Sequence, residues 1–69
     1  MEKLLDALKT RQRIKKLTDA EFAEGLGVSR STWSLVRAGQ VKFNIPILRG
    51  ILVAYPDMQS HVLKYIMSS

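Results

Sequence analysis

Cysteine is absent from this chain, so no disulfide can staple it and no thiolate can act as nucleophile or metal ligand. There is one histidine, and no Cys or His cluster of the kind that holds a structural zinc. Carboxylates paired at catalytic spacing are missing, and so is a phosphate-binding loop. These gaps set the expectation that the protein is not an enzyme and uses no cofactor and no metal. No apolar run approaches the roughly 20 residues that span a bilayer. The start, Met1-Glu2-Lys3-Leu4-Leu5-Asp6, carries two acids and lacks the basic opening and apolar stretch of a secretory signal. A soluble, cytoplasmic protein is expected. Strand signals are also scarce, because no stretch alternates apolar and polar residues beyond a few positions.

What remains is a chain of 69 residues, 46% of them hydrophobic, enough for one domain with one small core. Its formal net charge is +5. Lys9, Arg11, Arg13, Lys15 and Lys16 crowd together without an intervening acid. Between Glu24 and Asp57 there is no acid, while Arg30, Arg37, Lys42 and Arg49 fall in that interval. A basic run is often only a solvated helix face, but the acid-free middle favours one positive surface and a polyanionic partner.

Helix punctuation recurs along the chain. The spacing predicts a first helix from about Glu2 to Lys15, with Leu4, Leu5, Leu8 and Ile14 on its apolar face. Acids near its start and bases near its end suit the helix macrodipole. Thr18-Asp19-Ala20-Glu21 is a capping box that starts a second helix at Asp19 and buries Phe22, Ala23 and Leu26. Gly27 stops it. Ser29 caps a third helix from Arg30 to about Ala38, with Trp33 and Val36 inward and Gly39 at its end. Trp33 reads as core, since its spacing from Val36 is that of a buried stripe. Gln40-Val41-Lys42-Phe43 forms a loop. Asn44 caps a fourth helix that tolerates Pro46 in its first turn and carries Ile45, Leu48, Ile51, Leu52 and Tyr55 as apolar residues. Gly50 inside this helix suggests close packing against a neighbour that the sequence does not name. After Pro56, a last helix runs from about Asp57 to Met67 with Met58, Val62, Ile66 and Leu63 or Tyr65 on its apolar side. The lone His61 reads as a surface or interface residue.

The second and third helices are joined by Gly27-Val28-Ser29. Two short helices around a three-residue turn that opens with glycine have the spacing of a helix-turn-helix, whose second helix enters the DNA major groove. The geometry asks for a small residue where the helices cross (Ala23), a turn (Gly27) and a plug between them (Val28). It leaves Arg30, Ser31, Ser34 and Leu35 outward on the third helix.

The stretch from Leu17 through Ser34, Leu-Thr-Asp-Ala-Glu-Phe-Ala-Glu-Gly-Leu-Gly-Val-Ser-Arg-Ser-Thr-Trp-Ser, continued to Gly39, resembles the phage-repressor-like (Cro-type) helix-turn-helix family. The resemblance spans roughly residues 3 to 67. It implies an all-α, compact five-helix lambda-repressor-like fold and a sequence-specific regulator that binds double-stranded DNA. Such a protein would act as a repressor by occupying its operator. A protein-interaction module, or an antitoxin-type partner-binding protein, on the same fold with weak or no DNA reading is the alternative. Two features depart from the family. Where it has Gln at the start of the second helix this chain has Asp19, an acid that would repel a nearby phosphate. Where it pairs an Arg of the first helix with a Glu of the third, this chain has Gln12 and Arg37. Arg37 is left to face the DNA backbone or to pair with an acid.

By the same resemblance Arg30 reaches base edges, where its two donors suit guanine. Ser31 and Ser34 either touch a base or keep the helix slim enough for the groove. Leu35 either meets a thymine methyl or borders the core. Phosphate contacts fall to Ser29, Thr32, Arg37, Gln40, Lys42 and Asn44, with Lys42 the foremost of them. Arg11, Arg13, Lys15 and Lys16 would add sequence-independent attraction. The last helix is richer in apolar residues than one inward stripe needs. Met58, Val62, Leu63 and Ile66 either complete a thin core or form the seam of a homodimer on DNA, as relatives of this fold often do.

Overall fold

A computed structural model describes residues 3–68, and Met1, Glu2 and Ser69 lie outside it, with them the expected helix start at Glu2. The described residues form five α-helices and no strand. They are α1 (Lys3–Lys15), α2 (Asp19–Leu26), α3 (Arg30–Arg37), α4 (Ile45–Ala54) and α5 (Gln59–Ser68). A 3-10 turn, Pro56–Met58, leads into α5. Among the described residues no helix is long and apolar enough to cross a membrane.

Helices α2, α3 and α4 each start at the expected cap. Thr18 and Glu21 form the capping box, with Thr18 Oγ1 accepting from the Glu21 N–H at 3.2 Å and Glu21 Oε1 accepting from the Thr18 N–H at 2.9 Å. Ser29 Oγ accepts from the Thr32 N–H, and Asn44 Oδ1 from the Ile47 N–H. The ends of α1, α2 and α3 share one geometry. A left-handed residue follows closely on the last helical residues, and paired backbone bonds close the last turn. Glycine supplies this conformation after α2 and α3, but after α1 it is Lys16, at φ 57°, which costs about 1 kcal/mol without a glycine's freedom.

The core gathers Leu4, Leu5 and Leu8 of α1, Phe22, Ala23 and Leu26 of α2, Trp33 and Val36 of α3, and Ile47, Leu48 and Ile51 of α4, closed by Tyr55, Met58 and Val62. Phe22 lies at its centre. Its ring is 4.8 Å from that of Trp33, tilted, and 5.8 Å from that of Tyr55, stacked. Such pairs add to the stabilisation from burial alone. Helix α1 packs on α5, while α4 packs on α2 and on the 3-10 turn.

Three helix faces differ from expectation. Ile14 is 70% exposed, because it falls six residues after Leu8 and so points roughly 120° away from that stripe. The stripe is continued by Gln12, four residues after Leu8, which is buried. In α4 the buried set is Ile47, Leu48 and Ile51, whereas Ile45 and Leu52 are exposed. A helix of nearly uniform hydrophobicity offers no polar residues to mark its outer face. The last helix begins at Gln59 rather than Asp57, since Pro56 opens a tighter turn that swings Met58 inward, its N–H bonded to the Tyr55 carbonyl at 2.9 Å.

The partner that Gly50 packs against is the C-terminal end of α2. A β-carbon on Gly50 would overlap the Leu26 carbonyl oxygen and come within 2.9 Å of its carbonyl carbon. Gly25, by contrast, has nothing within 4 Å of the same position. Gly50→Ala should therefore destabilise the fold by about 1–3 kcal/mol, through overpacking against rigid backbone. Gly25→Ala should stabilise it by up to about 1 kcal/mol. Urea denaturation of the two variants, read by circular dichroism, checks the opposite signs.

Arg11 of α1 donates to Asp57 of the 3-10 turn and forms an ion pair with it. That hydrogen bond, with the Arg11 charge and nearby His61, holds the Asp57 carboxyl below the usual carboxylate range. A lowered folded-state value means that the stabilisation is present above the ordinary carboxylate value and is lost as pH falls through the lowered one. Asp57 is exposed and Arg11 is partly so, which lets solvent screen the pair and keeps the effect small. Asp57→Asn should flatten the acid limb of the thermal-stability profile below about pH 4 and leave its neutral plateau nearly unchanged.

Candidate functional site

Helix α3 is divided sharply into two faces. Trp33 and Val36 are buried, at 0% and 1% exposure. On the opposite side Arg30, Ser31, Ser34 and Leu35 line one shallow depression in the surface. The four residues picked out from the sequence as base contacts are thus brought together, and Leu35, at 42% exposure, belongs to this outward face rather than to the core. The helix is held by its Ser29 cap at one end and by the turn at Gly27 from α2 at the other side of that cap. The Gly27 N–H bonds to Glu24 and the Val28 N–H to Ala23, which lets Val28 fold back onto the core.

The six residues expected at phosphates differ in how far other contacts engage them. Ser29 and Thr32 are engaged with each other, their hydroxyls 2.8 Å apart, and Ser29 also caps the helix. Asn44 uses its side-chain oxygen to cap α4. Gln40 and Lys42 are exposed in the loop between α3 and α4. That loop is anchored by Phe43, whose ring meets Tyr65 of α5 edge-on at 5.1 Å. Arg37 faces an acid, with its Nη1 3.8 Å from Asp19 Oδ1.

This last contact belongs to a chain of polar groups that joins three helices. The Trp33 indole N–H donates to Gln12 Oε1 at 3.1 Å. The Gln12 amide nitrogen donates to the Leu17 carbonyl at 3.1 Å and to Asp19 Oδ1 at 2.8 Å. Asp19 then meets Arg37. Sequence reasoning placed Trp33 in the core but missed the partner for its N–H. The usable signal was Gln12 on the α1 stripe, since a buried amide needs partners for both its oxygen and its nitrogen.

The basic cluster of α1 is likewise divided. Arg11 and Lys15 lie over the Tyr55 ring, 4.9 and 5.3 Å from its centre, and Arg11 is also paired with Asp57. Lys9, Arg13 and Lys16 are exposed. The candidate dimer seam must be corrected. Met58 and Val62 are 3% and 1% exposed within a single chain, because the 3-10 turn and the first turn of α5 aim them into the core. They complete the core and cannot line a seam, whereas Leu63 and Ile66 are each 50% exposed. Among the described residues no group of three or more His, Cys, Asp or Glu could hold a metal ion.

Gln12→Leu would leave the Trp33 indole N–H buried without an acceptor and Asp19 without its amide donor. A loss of about 1–3 kcal/mol in urea denaturation is expected, together with a shift in the tryptophan emission maximum. No family model, curated protein or solved structure matches this chain.

Proposed function

We propose that this domain binds double-stranded DNA through α3, in the manner of a helix-turn-helix, and serves as a sequence-specific transcriptional regulator rather than an enzyme. The observation that carries the reading is the two-sided α3. Its inner face is anchored by Trp33 and Val36, while Arg30, Ser31, Ser34 and Leu35 share its outer face. Small polar residues keep that face slim, and Arg30 at its start offers two donors in a fork that matches guanine.

Three further features support the reading. The chain between Glu24 and Asp57 contains no acid, so α3 and the loop after it carry only positive charge. Lys42 is exposed in that loop, and the loop is pinned by Phe43 against Tyr65, so the cation is presented from a fixed segment. Helices α2 and α3 pack on each other across a turn at the left-handed Gly27, with Ala23 buried, and this supports the reading of α3 as a helix placed in the major groove. The simplest action of such a protein is occupancy of an operator, which blocks transcription. A homodimer on DNA would read a near-palindromic site with half-sites about one helical turn apart.

Selection of the purified protein against random duplex DNA tests this. One enriched, near-palindromic sequence is expected. Arg30→Ala should then relax the preference at one base pair per half-site by about 1–3 kcal/mol while leaving the fold intact. Weak binding with no enriched sequence would rule out the DNA-reading role and favour a protein-interaction module.

A further inference from the structure

Arg30, Ser34 and Arg37 follow one another at i, i+4 and i+7, so they form a row along α3. The row carries the proposed reading residues at one end and a second arginine at the other. That second arginine is answered by a fixed acid. Asp19 is the first residue of α2, and its Oδ1 is 2.8 Å from the amide nitrogen of the buried Gln12 and 3.8 Å from Arg37 Nη1. Gln12 is itself bonded to Trp33 and to the Leu17 carbonyl, so the carboxylate is held in place rather than free to swing away. The Asp19 side chain is 29% exposed and that of Arg37 49%. Arg37 is therefore within reach of solvent, and of any polyanion laid along the row, yet it already has a counter-charge.

We propose that Asp19 is a specificity-determining residue for DNA binding, holding Arg37 as a counter-ion and withholding one cation from the phosphate backbone. The inference rests on the DNA reading above. Sequence-independent binding grows with the number of phosphates that cations neutralise, each contributing about 0.9 to the log–log salt dependence. An acid that occupies one arginine removes one such contact and leaves the base-facing Arg30 and Ser34 untouched. Binding then leans more on the bases and less on the charge of the duplex. Asp19 also starts α2, where a negative charge suits the helix dipole, so the same carboxylate serves the fold and restrains the interface.

The test compares wild type, Asp19→Asn, Arg37→Gln and the double variant. Each is titrated with a random-sequence duplex by fluorescence anisotropy across salt, with circular dichroism melts and Trp33 emission to verify folding. Asparagine keeps an oxygen that can accept from Gln12 while removing the charge. Asp19→Asn should bind more tightly at low salt, and its log–log slope should steepen by about 0.9, so that it loses about threefold more affinity than wild type between roughly 50 and 200 mM salt. Arg37→Gln alone should leave the wild-type slope unchanged, and in the double variant the gain should vanish. A folded Asp19→Asn with the wild-type slope would overturn the inference. So would an Arg37→Gln protein whose slope falls by about 0.9, since Arg37 would then already hold a phosphate. These outcomes leave DNA binding itself intact. If none of the four proteins binds duplex at low salt, the DNA reading fails and this inference fails with it.

Discussion

The side-chain amide of Gln12 is the contact on which the arrangement of α1, α2 and α3 depends. It sits where another leucine would continue the α1 stripe, and it is buried. An amide there is costly unless both its ends are bonded, and both are: the oxygen takes the Trp33 N–H, and the nitrogen serves Leu17 and Asp19. Among the described residues no buried side-chain polar atom lacks a partner. Hydrophobic packing would tolerate α3 sliding or rotating by some degrees, because apolar contacts are not directional. Hydrogen bonds from one amide to an indole on α3 and a carboxylate on α2 do not tolerate it, so the network specifies one setting of α3 relative to the other two helices.

That setting connects packing to the proposed function. Trp33 packs against the tilted ring of Phe22 on one side and is fixed by Gln12 through its N–H. With the indole immobile, the opposite face of the same two-turn helix is presented rigidly, and the outward group of Arg30, Ser31, Ser34 and Leu35 needs no separate support. The loop after α3 receives a comparable anchor from Phe43 on Tyr65. Helix α5 thus contributes from a distance, since Tyr65 steadies the segment that carries Lys42, while Val62 and Met58 fill the core beneath.

The charge pattern shows how the neighbours of a cation decide what it can do. Of the eleven basic residues in the chain, Arg11, Lys15 and Arg37 are engaged by Asp57, the Tyr55 ring or Asp19. Net charge alone would count all of them toward a polyanion. The tertiary contacts remove some from that role and leave others exposed, Lys42, Lys9 and Arg13 among them.

Local chemistry was enough to place the starts of α2, α3 and α4. Thr18 with Glu21, Ser29 and Asn44 each satisfy N–H groups within three residues, so caps are legible from sequence and helix starts fall where they indicate. The two faces of α3 were legible for the same reason, because a polar–apolar contrast marks them at helical spacing. Where that contrast fails, so did the reading. Nothing in the apolar run of α4 distinguishes Ile47 from Ile45, and only the position of α2 selects the buried one. Met58 and Val62 looked equally suited to a core or a seam until the 3-10 turn aimed them inward. Gly50 signalled a close approach, but its partner, the Leu26 backbone, lies 24 residues away in the chain (26 to 50). The role of Asp19 was the furthest from view. Read along the sequence it is an acid opening a helix, a poor neighbour for a phosphate. Only the fold brings Gln12 and Arg37 to its two sides, because hydrogen bonds and ion pairs between separate helices depend on distances that the chain order does not contain.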